Sequence, residues 1–207
     1  MIFLNFKIYP ETSGKNTLKL CRLIKSKTVI PCLQVVDIQT IHRLLPRLEI
    51  WAQHADPVDQ GKFTGWQSPF SLKAAGAKGV IINHAEHQLL PEVIKKTVIF
   101  CRQAGLKIML LAPDLATIKF FNTLKPDFIG FEDPQLIGGP IPMIEAHYDL
   151  ICRAAKLSRY PLIVGGGIRT GAQVKKSFLA GGQGVLVASE FAKSSAPKTT
   201  LADLLDS

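Results

Sequence analysis

No stretch of this chain reaches the roughly eighteen consecutive apolar residues of a membrane span, so none reads as a transmembrane helix. Cysteine is scarce. The four residues Cys21, Cys32, Cys101 and Cys152 lie far apart among aliphatic neighbours, with no C-x-x-C pair. That excludes a disulfide framework and a thiolate metal site as readings, and leaves reduced thiols that pack as small hydrophobes. Charge of one sign is in excess, 25 Lys and Arg against 16 Asp and Glu for a formal +9, yet no block of five or more basic residues occurs. Zinc-finger spacing, a recognition-helix pattern and an RNP-like aromatic strand are also missing, so nucleic acid is not an expected partner. A modest positive field that draws in a small phosphorylated substrate fits the same count. The N-terminal "MIFLNFKIYP" carries its lysine inside the apolar segment instead of ahead of it, which does not fit a signal peptide. The expected location is the cytoplasm.

What is present is an alternation. Short apolar runs begin at Ile2, Val29, Glu49, Gly79, Lys107, Asp127, Leu162 and Gly184, and segments of helical period separate them. The helical segments are "KNTLKLCRLIK", "DIQTIHRLL", "SPFSLKAAG", "PEVIKKTVIFCRQAG", "DLATIKFFNTL", "MIEAHYDLICRAAKL", "TGAQVKKSFLAGG" and "PKTTLADLLDS". Pro91 suits a first helical turn, Asp114 and Thr170 suit N-caps, and Gly105 and Gly181 suit C-terminal caps. Eight strand-helix units of about 26 residues each leave nothing over for a second domain. The expectation is an α/β chain folded as one domain over residues 1–207: a parallel eight-stranded (β/α)8 TIM barrel with outer helices. An open doubly wound sheet is the competing fold. It would normally carry a Gly-rich loop after its first strand, and "KIYPETSGKN" matches neither the dinucleotide nor the P-loop pattern.

In such a barrel the functional residues lie at the C-terminal strand ends. The first strand offers Asn5 and Lys7, which strict alternation would point together toward the mouth, with Leu4 and Phe6 facing the helices. The fourth offers Asn83, His84, Glu86 and His87, and the sixth ends on Glu132. The seventh and eighth end in Gly165, Gly166 and Gly167 and in Ala188 and Ser189, small residues that let backbone N–H groups approach an anion. His84 and His87 have metal-pair spacing, but no further ligand follows in register, so no metal is expected. Glu132 stands out because an acid that closes an apolar strand bears a desolvation cost and needs a partner or a purpose. A cation, an imidazole and a carboxylate beside a phosphate cradle suit proton abstraction next to a carbonyl. Glu132 would take the proton, His84 would polarise the oxygens, and Lys7 would offset negative charge.

These residues sit within "NFKIYPETSG", "AQHADPVDQGKFTGWQSPFSLKAAGAKGVIINHAEHQL", "FEDPQLIGGPIP", "GGGIRTGAQVKKS" and "GVLVAS". In order and spacing the chain resembles the triosephosphate isomerase family, particularly its short archaeal-type branch, over nearly its whole length. That family is itself a standard illustration of a Glu base working with a neutral, electrophilic His. The resemblance implies interconversion of dihydroxyacetone phosphate and D-glyceraldehyde 3-phosphate with no cofactor. By position it implies Asn5 and Lys7 as substrate binders, His84 as electrophile, Glu132 as base and Glu86 as the acid beside the lysine. Asp133 to Pro140 would be a mobile lid with the Gly138 N–H on phosphate, and Gly166, Gly167, Ala188 and Ser189 would complete the cradle. "TGWQSP" resembles a loop that docks into a neighbouring subunit through Thr64, which implies a homo-oligomer, dimer or tetramer. The chain departs from the family in three places: Ala85 where it usually has Ser, Gly138-Gly139-Pro140 where it has Gly-Thr-Gly, and Glu190 where it has a small residue. Another sugar-phosphate isomerase, or a relative that only binds phosphate, are the alternatives.

Overall fold

The computed structural model describes residues 1–136, 139 and 141–206. Eight parallel strands close into a barrel in sequence order: β1 (Ile2–Asn5), β2 (Val29–Leu33), β3 (Trp51–Ala52), β4 (Gly79–Ile82), β5 (Lys107–Ala112), β6 (Phe128–Phe131), β7 (Leu162–Val164) and β8 (Gly184–Val187). Closure is made by β8 on β1, with Ile2 opposite Val185 and Leu4 opposite Val187. The helices are α1 (Lys15–Cys21), α2 (Val35–Leu44), α3 (Pro69–Ala74), α4 (Pro91–Gln103), α5 (Leu115–Leu124), α6 (Met143–Ala146), α7 (Tyr148–Leu157), α8 (Gly171–Leu179), α9 (Ser189–Ala192) and α10 (Pro197–Leu205). The caps formed as the sequence implies: Asp114 Oδ1 accepts the Thr117 N–H at 2.7 Å, and Gly105 and Gly181 take positive φ past α4 and α8.

Two segments differ from the periodic reading. The segment from Met143 to Leu157 is two helices, interrupted at His147 (φ −136°, ψ 44°), because its halves answer to different neighbours. Met143 N–H is held by the Gly166 carbonyl at 2.8 Å and α6 packs toward α8, whereas α7 packs on α5. The eighth apolar run does not continue as strand through Ser189, which instead opens the short α9.

Strand alternation divides the apolar residues into two layers. Ile2, Leu4, Val80, Ile82, Ile129, Phe131, Val164 and Val185 face outward into the layer shared with the helices. Phe3, Ile30, Cys32, Trp51, Ile81, Met109, Leu111, Ile163 and Leu186 fill the barrel itself. The interior is filled by aromatic side chains, with Phe3 edge-on to Trp51 (centroids 5.1 Å apart) and to Phe128 (5.4 Å). Trp51 fits because Gly79 opposite it has no Cβ; one would lie 2.3 Å from the indole. Beyond this packed interior the buried polar side chains Asn5, Asn83, His84 and Glu132 lie at the C-terminal ends of β1, β4 and β6.

All four cysteines are free thiols, with Cys21, Cys32 and Cys101 buried and Cys152 half-buried. Burial pushes the thiols of Cys21 and Cys101 up to about 12 and raises that of Cys32 further, which keeps them protonated and unreactive. No helix among the described residues is long and apolar enough to cross a membrane.

Candidate active site

The same alternation that points Phe3, Ile81, Phe128, Ile163 and Leu186 inward brings Asn5, Asn83, Glu132, Gly165 and Ala188 to the mouth, each two or four residues farther along. Simple alternation explains neither Lys7 nor His84. Lys7 lies beyond β1 in the left-handed region (φ 47°), so a turn directs it and the strand does not, which corrects the expectation that it shares the strand pleat with Asn5. Asn5 holds that turn, its Oδ1 accepting the Lys7 N–H at 3.1 Å, and the Gln53 amide donates to the Lys7 carbonyl at 3.1 Å.

Asn83 plays the matching part after β4. It is left-handed (φ 66°) and buried, donating through Nδ2 to the Leu111 carbonyl at 2.9 Å and accepting the Leu89 N–H on Oδ1 at 2.8 Å. Outward parity would put His84 among the helices; the reversal at Asn83 brings it over the mouth instead. Left-handed backbone is unfavourable for residues with a Cβ but least so for Asn, whose side chain can bond locally.

His84 then caps the 3-10 turn Ala85–His87, its Nδ1 accepting the Glu86 N–H at 3.1 Å. An imidazole nitrogen that accepts cannot also carry the proton, so this bond assigns the ring N–H to Nε2. Nε2 faces Oε2 of Glu132 at 3.4 Å, too long for a good hydrogen bond. Glu132 is 6 % exposed; its Oε1 accepts the Gly166 N–H at 3.2 Å, while Oε2 is buried without a hydrogen-bond partner among the described residues. Burial pushes its carboxyl above the ordinary carboxylate value, against the pull of His84, Lys7 and the Gly166 N–H, with Glu86 adding to the rise. Lys7 Nζ is paired with Glu86 Oε1 at 2.6 Å.

Asn5, Lys7, His84, Glu132, Gly166, Gly167, Ala188 and Ser189 all line one cavity of about 80 Å³ at the mouth, together with Tyr9, Gly139, Ile168, Arg169 and Leu186. Gly138 and Pro140 lie outside the described residues. Glu190 is half-buried and is not among the residues that line the cavity. Thr64 is exposed on the loop that follows β3, and its own chain does not bring it to this cavity. His54 and His87 stack with centroids 4.2 Å apart, and among the described residues no group of three or more His, Cys, Asp or Glu could hold a metal ion.

Two contributors were not legible as such. The triple glycine reads as an anion cradle, but Gly165 serves Glu132: a Cβ there would stand 2.1 Å from Oε1. The Gly166 N–H is likewise occupied by Glu132 in this state. Nothing in the local pattern distinguishes Arg169, a single cation after the glycines; it lines the cavity and donates from Nη2 to the Gly139 carbonyl at 2.8 Å.

The sequence profile of a family described as Triosephosphate isomerase matches residues 1–119. The chain belongs to the triosephosphate isomerase family. Among its relatives, the protein named "Triosephosphate isomerase" from Methanobrevibacter smithii is 33% identical, over 99% of this chain and 97% of that one. The relative of the same name from Saccharolobus solfataricus is 33% identical over 100% and 95%. That from Thermoplasma volcanium is 32% identical over 99% and 98%. A crystal structure of triosephosphate isomerase from Bartonella henselae superposes with a TM-score of 0.77 over 100% of this chain and 98% of the other; at 18% identity it supports the barrel fold alone. The archaeal relatives agree with the branch that the sequence resembles.

Proposed function

We propose that this enzyme interconverts dihydroxyacetone phosphate and D-glyceraldehyde 3-phosphate through an enediolate, with Glu132 as base and His84 as electrophile. The observation that carries the reading is the unpartnered Oε2 of Glu132 lying 3.4 Å from a His84 nitrogen that carries the ring proton. A carboxylate oxygen with no hydrogen bond to lose is ready to accept a proton from carbon. The raised affinity of Glu132 for a proton brings its strength as a base nearer to what that transfer needs. The Nε2–H of His84 donates to whichever substrate oxygen gains charge, and Lys7 offsets that charge from the other side. Glu86 serves both, bonding Lys7 through Oε1 and fixing the His84 tautomer through its backbone. The phosphate lies against the backbone of Gly167, Ala188 and Ser189, with Gly166 joining when Glu132 swings toward substrate. The Gly138 N–H belongs to the same proposal, by resemblance alone.

We place the working form as a homo-oligomer. Ile8 (79 % exposed) and Val36 (75 %) flank a groove of about 360 Å³ that also reaches Lys7 and His84. Phe63 and Trp66, edge to face at 6.4 Å, project from a loop pinned at its base where Asp56 and Gln67 bond each other. An exposed aromatic pair and an exposed aliphatic groove on one chain fit a second copy, with Thr64 carried into the groove beside the partner's Lys7 turn.

The deciding assay is conversion of D-glyceraldehyde 3-phosphate by the purified protein, alongside Glu132→Gln. Turnover in the wild type with a loss of about a thousandfold or more in the variant, the scale of a general base, supports the assignment. Equal turnover in both would remove Glu132 as the base.

A further inference from the structure

The charges around the cavity do not suit an anionic substrate until one more residue is counted. Lys7 is already bound to Glu86 at 2.6 Å, and Glu132 brings a second carboxylate into the same space. A phosphate dianion that met only these groups would find one neutralised cation and one buried acid. Arg169 is the other cationic side chain lining the cavity, and no acidic side chain pairs with it among the described residues.

Its placement is fixed at both ends. The Arg169 backbone N–H donates to Gln173 Oε1 at 2.8 Å, while Thr170 Oγ1 accepts the Gln173 N–H at 3.3 Å. This near-reciprocal capping of α8 roots Arg169 on the start of a helix and not on a free loop. At the other end, Nη2 donates to the Gly139 carbonyl at 2.8 Å, which ties the exposed side chain to the segment that follows β6. One of its five N–H groups is thereby used. Among the described residues the rest of the fork has no hydrogen-bonding partner, and Arg169 lines the same cavity as Gly167 and Ser189.

We propose that Arg169 is a direct ligand of the substrate phosphate, steered into place by the Gly139 carbonyl and supplying the uncompensated positive charge that the backbone cradle lacks. The inference rests on the triose phosphate reading of the cavity. A guanidinium suits the role because it stays charged and presents paired donors that match phosphate oxygens, which a lysine ammonium does not.

The test uses the full chain with Arg169→Ala and Arg169→Lys, each checked for fold by circular dichroism. The readouts are kcat/KM for D-glyceraldehyde 3-phosphate and for unphosphorylated D-glyceraldehyde, and the affinity for inorganic phosphate. In Arg169→Ala the ratio of the two kcat/KM values is expected to fall roughly 10- to 100-fold, the range of one charge-assisted hydrogen bond, with inorganic phosphate weakened to a similar degree. Lysine should recover part of the loss. An unchanged ratio with unchanged phosphate affinity overturns the proposal and leaves Arg169 as a loop contact. If the wild type turned over neither aldehyde, the isomerase reading would fail by itself. Phosphate affinity would still decide on Arg169: weakening in the alanine variant supports it and no change refutes it.

Discussion

A Cβ on residue 165 would stand 2.1 Å from Oε1 of Glu132 and 2.5 Å from its Cγ, so the glycine that follows β7 is the space in which the carboxylate that follows β6 is held. Each lies one residue past its strand, beyond Phe131 and Val164, which are opposite each other in the β6–β7 pairing. Gly165 does not have a positive φ, so alanine there is opposed by this contact and not by the backbone.

Gly165→Ala is therefore expected to displace Glu132 while leaving the barrel folded. Turnover should fall by about a hundredfold, the usual effect of moving a catalytic group by an ångström, and stability by roughly 1–3 kcal/mol from overpacking. Introducing the same alanine into a Glu132→Ala background should cost clearly less stability, since the clashing atoms are gone. Denaturant melts of the four proteins give that coupling directly, and strict additivity would mean the contact is not the cause.

Glu132 also determines a pH dependence. Its proton affinity is raised in the native state above the ordinary value of 4.5, so the native state holds this proton more tightly than the unfolded chain. Its contribution to stability is accordingly present below about pH 4.5 and lost as pH rises through the native pKa. Glu132→Gln should melt above wild type at pH 8, and the gap should close near pH 4.5. A gap of the same size at both values would show that desolvation of the carboxylate is not its origin. For the same reason the acid limb of kcat/KM should lie above the usual carboxylate range.

Asn83 is a buried residue with two side-chain hydrogen bonds and a left-handed backbone, and the placement of His84 depends on both. Asn83→Ala should cost about 2–4 kcal/mol, the sum expected for losing those bonds and straining the turn, and should lower kcat through His84. Thermal melts and kinetics at saturating substrate check this. A variant of wild-type stability whose His84 still reacted normally would show that the turn is maintained by other contacts.

For the assembly, Trp66→Asp puts a charge where an aromatic anchor would be buried. Association should weaken by about 30-fold or more, the range for a Trp anchor, and activity per chain should fall at concentrations where the variant dissociates. Light scattering across a dilution series measures it. A wild-type protein that stays monomeric at assay concentration would end the oligomer proposal.

The barrel was legible because eight apolar runs and their helical partners are local patterns, and each run starts within two residues of a strand in the structure. The break at His147 was not legible, because it reflects which neighbours α6 and α7 meet. Glu132 and Asn5 follow from counting two residues at a time along a strand. Lys7 and His84 do not, since left-handed backbone at Lys7 itself and at Asn83, just before His84, turns the chain out of the pleat.

The linear order of residues thus determined the fold class, the mouth as the site, and an acid that closes a buried strand. Tertiary structure decided what surrounds that acid: Gly165 leaving it room, Gly166 holding one oxygen, His84 facing the other, and Arg169 arriving from the next loop. Periodicity encodes which way a side chain points on its own element. Partners 30 or more residues away meet only when the barrel closes, and the free energies that tune the Glu132 proton belong to those meetings.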